Sequence, residues 1–204
     1  MMKKITTFIL IMIANALLFS QPAYKMQVGD QLVYQVEAGN NEYDFIVTPT
    51  KLSSTGITFD YVMSAPANKT GTISMTSEAL KNSMTMYNKF GGGNVNLTDQ
   101  VSVFASKAMM TFAAEGSSDI YLNGPKGESE NFVTLEGMDS PTNGSTYIKW
   151  IKNINGVYYL LDGPILENAD GSKGIRYTDG GGFPFITYME LDFKVYLKEI
   201  IRKN

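Results

Sequence analysis

The residues able to do chemistry in this chain are almost all carboxylates, hydroxyls, amides and thioethers. Asn168, Asp170 and Ser172 put oxygen-bearing side chains at the first, third and fifth places of a calcium-type loop, and Asp179 falls at the twelfth. Hard divalent cations take such oxygen ligands. The sixth place, where a sharp turn wants glycine, is Lys173, so an irregular calcium loop competes here with a plain solvated turn. Four acids, Asp44, Asp60, Glu190 and Asp192, fall on segments that read as strands and could pair across a cleft as glycan-hydrolysing carboxylates do. Each also occupies the polar phase of its strand, where a carboxylate is simply solvated. Ser106-Lys107 and Ser172-Lys173 are neighbours in sequence, which points their side chains apart in an extended chain. Met84, Met86, Met109 and Met110 could ligate copper(I), although thioethers more often fill a core.

What is missing narrows the field further. The chain has 204 residues with no histidine and no cysteine. That excludes a Ser-His-Asp triad, a Cys-His nucleophile, zinc sites of the usual ligand sets and c-type haem attachment. No phosphate-binding P-loop and no dinucleotide glycine fingerprint follows a strand. Acids outnumber bases, 20 to 17, and no basic run occurs, which speaks against nucleic acid and against anionic membrane surfaces.

The start of the chain resembles an export signal. Lys3 and Lys4 precede an apolar run from Ile5 to Phe19, and Ser20-Gln21-Pro22-Ala23 forms a small, polar exit. The run is about 15 residues, short of the roughly 20 that a membrane-spanning helix needs. The expectation is therefore a signal peptide over residues 1–20, removed to leave no membrane span, and a single domain over residues 21–204 that is secreted or periplasmic in a bacterial envelope. Without cysteine, such a domain must draw its stability from its core.

Elements able to position a site are mostly strands. Gln31 to Glu37 and Glu42 to Thr48 alternate apolar and polar residues around Gly39-Asn40-Asn41, as a hairpin does. Gly56 to Ser64 carries Ile57, Phe59, Tyr61 and Met63 on one face, and a shorter strand spans Gly71 to Thr76. Ser77 to Phe90 has helical composition, with Ser77 able to cap it. From Asn96 to Glu115 the spacing of Val101, Phe104, Ala105, Ala108, Met109 and Phe112 predicts an amphipathic helix. The alternation of Val101, Val103 and Ala105 supports a rival, an extended entry into a shorter helix capped by Ser106. Short strands follow at Asp119 to Leu122, Asn131 to Leu135, Tyr147 to Ile154 and Val157 to Leu161, the last two joined by the turn dipeptide Asn155-Gly156. From Phe185 to Leu197 strict period-2 patterning predicts one long strand, on the order of 40 Å. Gly163 to Gly182 reads as a polar, glycine-rich insertion between two good strands.

Two stretches carry a family resemblance. Val28-Gly29-Asp30-Gln31-Leu32-Val33-Tyr34 is similar to the opening strand of DUF3108-like exported bacterial domains. Tyr158-Tyr159-Leu160-Leu161-Asp162, with Pro184-Phe185-Ile186 and the strand ending Leu197-Lys198-Glu199-Ile200, resembles their closing hairpin. The resemblance implies a curved antiparallel β architecture in the envelope and supplies no catalytic residues. The expected fold is mainly β, an antiparallel sandwich or partly open barrel with one or two short helices. The expected role is non-catalytic: binding an apolar small molecule or an envelope protein, with a carboxylate-dependent glycan hydrolase and a structural or adhesion component as alternatives. Tyr34, Tyr61, Trp150 and Tyr159 are the aromatic candidates to line such a site.

Overall fold

The computed structural model describes residues 23–122, 129–134, 150–161 and 163–202. The apolar run read as an export signal lies outside the described residues. Among those described, no helix is long and apolar enough to cross a membrane.

The architecture is mainly β: one large sheet, one small sheet and two short helices among the described residues, with no closed barrel. The chain opens on a four-stranded meander, β1 (Gln31–Ala38), β2 (Asn41–Ser53), β3 (Gly56–Met63) and β4 (Lys69–Thr76). Its first turn is Gly39-Asn40, where Gly39 takes a φ of 58° that suits the twist of a tight hairpin. After helix α1 (Ser77–Asn82) come β5 (Thr85–Met86) and β6 (Gly93–Leu97), the latter parallel to β4. Helix α2 (Lys107–Glu115) leads into the β7 (Ser117–Leu122) and β8 (Ser129–Thr134) pair. The small sheet is the hairpin β9 (Trp150–Ile154) and β10 (Val157–Leu161), turning on Asn155-Gly156, both at positive φ. The chain then adds β11 (Ile165–Glu167), β12 (Gly174–Thr178), β13 (Phe185–Glu190) and β14 (Lys194–Ile201). The order of the large sheet is β5-β7-β8-β11-β12-β13-β14-β1-β2-β3-β4-β6, so β14 pairs antiparallel with β1 and closes the two halves of the chain into one sheet.

This sheet folds over on itself. Tyr34 on β1 reaches across β14 to donate its hydroxyl to the Ile186 carbonyl on β13 at 2.8 Å. Tyr177 on β12 brings its hydroxyl to 3.6 Å from the Met86 sulfur on β5, four strands further along. Between the facing halves runs a segment of six consecutive buried residues, Val101 to Ser106. A buried irregular backbone must find partners for its polar groups. Here Val101 N–H donates to Thr85 O and Tyr87 N–H to Val101 O. Further along, Ile186 N–H donates to Val103 O and Ala105 N–H to Pro184 O, and Ser102 N–H reaches the Met75 sulfur. The segment thus stitches the β4 side of the core to the β13 side, and Phe104 packs against Phe59 at 5.9 Å while bridging Phe185.

Four expectations are corrected by this arrangement. Helix α2 starts at Lys107 with Ser106 as its cap, as the rival reading held, so the helix does not extend back to Asn96; residues 93–97 are strand β6. Helix α1 stops at Asn82 and its cap is Thr76, whose hydroxyl accepts from Ala79 N–H, because Ser83 turns away to bond Thr85 and Asp99 carbonyls. Phe185 to Leu197 is a hairpin and not one strand: Leu191, Asp192 and Phe193 form the turn, with Leu191 N–H on Phe193 O, and β13 pairs β14. Gly163 to Gly182 is no insertion, since it contributes β11 and β12, and Ile175 and Tyr177 are core residues.

At the edge of the fold, both ends of the described chain meet. The Asp30 carboxylate is buried and accepts four hydrogen bonds: from Tyr24 OH at 2.7 Å, Gln27 N–H at 2.9 Å, and Arg202 Nε and Nη2 at 2.8 Å each. Arg202 also donates to Lys25 O and lies over the Tyr24 ring at 5.6 Å. Burial opposes the charge on Asp30, but the bonds from Arg202, Tyr24 and Gln27 outweigh it and hold the carboxyl below its ordinary value.

Candidate functional site

A cavity of about 290 Å³, open on one side, lies between the meander, the β13–β14 hairpin and the strip that crosses over them. Its walls follow from strand phase. On β1 the residues of one face, Tyr34, Val36 and Ala38, point into it. Neighbouring β2 and β3 add Tyr43, Phe45 and Met63. From the hairpin come Ile186, Met189, Phe193 and Val195. The crossing strip closes it with Met86, Tyr87, Asn88 and Phe90 on one pass and Ser102 and Val103 on the next. Burial runs as a gradient: Tyr34, Val36, Met86 and Val103 are buried, while Ala38, Tyr43, Asn88, Phe90 and Phe193 are half-buried and mark the mouth.

Phe90 covers the aromatic floor. Its ring centroid is 4.6 Å from Phe45 and 5.2 Å from Tyr61, and it is followed directly by three glycines. Tyr61 sits behind that layer and accepts from Gly92 N–H at 2.9 Å, which pins the end of the strip. On the other pass, Val103 has a φ of 64°, with Phe104 N–H closing onto Ser102 O at 2.7 Å. That is a γ-turn of the rare left-handed kind, strained for a β-branched residue by roughly 1–3 kcal/mol. The partners of the buried segment hold it there, and the side chain it aims lines the cavity.

The chemistry of the lining is apolar. None of its residues is Asp, Glu, Lys or Arg. Its hydroxyls are occupied at depth: Tyr34 donates to Ile186 O, and Ser102 Oγ to Tyr87 O at 2.8 Å. Burial raises Tyr34, Tyr43 and Tyr87 above the ordinary tyrosine value, so all three stay neutral phenols over the physiological range.

Of the four aromatic candidates, Tyr34 lines the cavity and Tyr61 backs it. Tyr159 stands elsewhere, packed edge-on against Tyr24 at 6.1 Å, and the side chain of Trp150 lies outside the described residues. Asn168, Asp170 and Ser172 come together, but as the turn between β11 and β12. Asn168 Oδ1 accepts from Lys173 N–H and Asp170 Oδ1 from Ser172 N–H, while the Asn168 amide donates to Ser172 Oγ. Asp179 is not among them: it lies at the far end of β12 and accepts from Gly182 N–H. Among the described residues no three acids cluster as a metal site. The four strand acids do not converge on the cavity either. Asp44 pairs with Lys198, Asp60 accepts from Thr72, Glu190 accepts from Tyr188 and pairs with Lys194, and Asp192 is exposed in the β13–β14 turn. Met86 lines the cavity, and Tyr177 OH lies near the sulfurs of both Met86 and Met109.

Most of the lining was not singled out from sequence. The phase of β1 and β2 does put Tyr34 with Val36, and Tyr43 with Phe45, but nothing local says that the 86–90 and 101–103 passes lie over them. Compared with known proteins, the chain matches no family model, no curated protein and no solved structure.

Proposed function

We propose that this is a non-catalytic binding protein that holds an apolar small molecule in the cavity over β1, and that, given its export-like first 20 residues, it does so outside the cytoplasm. The observation that carries the reading is the cavity itself: about 290 Å³, just below the roughly 300–1,000 Å³ typical of small-molecule sites, with a lining free of charged side chains. The scatter of the carboxylates supports binding over glycan hydrolysis, which needs two acids flanking one bond. The test is saturation with the neutral fluorophore N-phenyl-1-naphthylamine. One-site enhancement that disappears in Ala38→Trp, a change that fills the mouth, is expected. A weak, non-saturating response equal in both proteins would sink the proposal.

A further inference from the structure

We infer that the ligand is a single-chain amphiphile, bound with its hydrocarbon tail inside the cavity and its polar end at the mouth; this rests on the binding role proposed above. Three observations carry it. First, no charged side chain faces the interior, so an ionised group placed there would lose its hydration without a partner. Second, the deep hydroxyl protons are already committed within the protein, so the interior has little to offer a hydrogen-bonding heterocycle or a sugar. Polar side chains that reach the opening, Tyr43, Tyr87 and Asn88, are all half-buried and therefore touch both the cavity and water. Third, the wall includes Met63, Met86 and Met189, unbranched and polarizable groups that adapt to a flexible chain better than branched side chains do. The lined face of β1 runs from Tyr34 to Ala38, roughly 13 Å of strand, which gives the site length for an extended tail.

Methyl-labelled methionine makes the site report on itself. The full chain, with Met63, Met86 and Met189 methyl signals assigned by single Met→Leu variants, is titrated with hexanoate, octanoate, decanoate, 1-decanol, N-phenyl-1-naphthylamine and cellopentaose. All three methyl signals are expected to move with decanoate. Affinity should tighten about fourfold per added methylene until the tail fills the site. Exchanging carboxylate for alcohol at the same length should change affinity by less than about tenfold, because the head stays hydrated. Ala38→Trp, with its remaining methyl spectrum unchanged, should lose the response. Shifts with decanoate but not with dioleoylphosphatidylcholine vesicles support the inference, whereas the same shifts on adding the vesicles, whose lipid carries two chains, would overturn the single-chain assignment. Binding of N-phenyl-1-naphthylamine with no chain-length dependence would overturn it and leave the cavity's binding role standing. Methyl shifts with cellopentaose alone, or with no probe, would overturn both.

Discussion

Removing the Arg202 side chain tests the junction that ties the two ends of the described chain together. Arg202→Ala deletes two of the four hydrogen bonds to a carboxylate that is 1 % exposed, and leaves Tyr24 and Gln27 to stabilise it alone. Breaking a buried pair from one side costs about 3–5 kcal/mol. Arg202 itself is 20 % exposed, so water can partly replace it and the lower end, about 3 kcal/mol, is expected. Urea unfolding followed by circular dichroism gives the value. The pH dependence separates this account from simple loss of packing. In the parent protein the Asp30 carboxyl is held below its unfolded value, so its stabilisation is complete above about pH 4 and is lost as pH falls through the folded value. Without Arg202, burial favours the protonated acid, so the penalty should be largest at pH 7 and shrink as pH falls towards about 4. The double variant Asp30→Leu/Arg202→Met should lie closer to the parent than Arg202→Ala does, because no charge is stranded. A penalty below about 1 kcal/mol, or one that does not change between pH 7 and pH 4, would show that this is an ordinary surface ion pair.

Two further outcomes are expected. Ser106→Ala removes both the helix cap, where Oγ accepts from Met109 N–H, and a buried bond to Ser83 O. It should cost about 2–3 kcal/mol in thermal or urea unfolding, whereas Ser77→Ala, at an exposed position that caps nothing, should stay within about 0.5 kcal/mol. Excising residues 167–181 and rejoining the ends should abolish the cooperative unfolding transition, because it deletes β12 with the core residues Ile175 and Tyr177; a deletion variant that still melts cooperatively would mean that β13 can form without its neighbour.

How legible this fold was depended on whether each element solved its packing problem locally. The β1–β2 hairpin did: one face is buried, so apolar and polar residues alternate, and Gly39 marks the turn. The β13–β14 hairpin did not. Its turn, Leu191-Asp192-Phe193, has no glycine or proline and keeps the same alternation, Leu191 and Phe193 half-buried against exposed Asp192, so the pattern runs through the bend unbroken. In β12 four of five residues are buried, leaving no alternation to read. Two of the glycines around it mark close backbone approach: a Cβ on Gly163 would fall 1.9 Å from the Tyr177 carbonyl oxygen, and one on Gly180 2.7 Å from that of Phe183. The segment 101–106 shows the same limit for the site. Its apolar spacing fits a helix, but its hydrogen-bond partners are Thr85, Tyr87, Ile186 and Pro184, in two stretches about a hundred residues apart, and no local pattern encodes such partners. Tyr34 was within reach because β1 and β2 present a regular face. Val103 and Phe90 were not, since they matter for what they cross.

The pairing of β1 with β14 has a consequence in time as well as space. Residues 31–38 leave the ribosome more than a hundred residues before 194–201, and until then β1 has a partner on one side only. During that interval Leu32, Tyr34 and Val36 sit beside an open strand edge, and the Asp30 carboxylate has no Arg202. Such an edge invites pairing with other chains. The large separation along the chain also makes this closing contact slow to form compared with the hairpins. Emerging chains of this protein therefore carry a sticky, incomplete half-sheet for most of their synthesis, and protection by a holding chaperone matters most in the window that ends when β14 arrives.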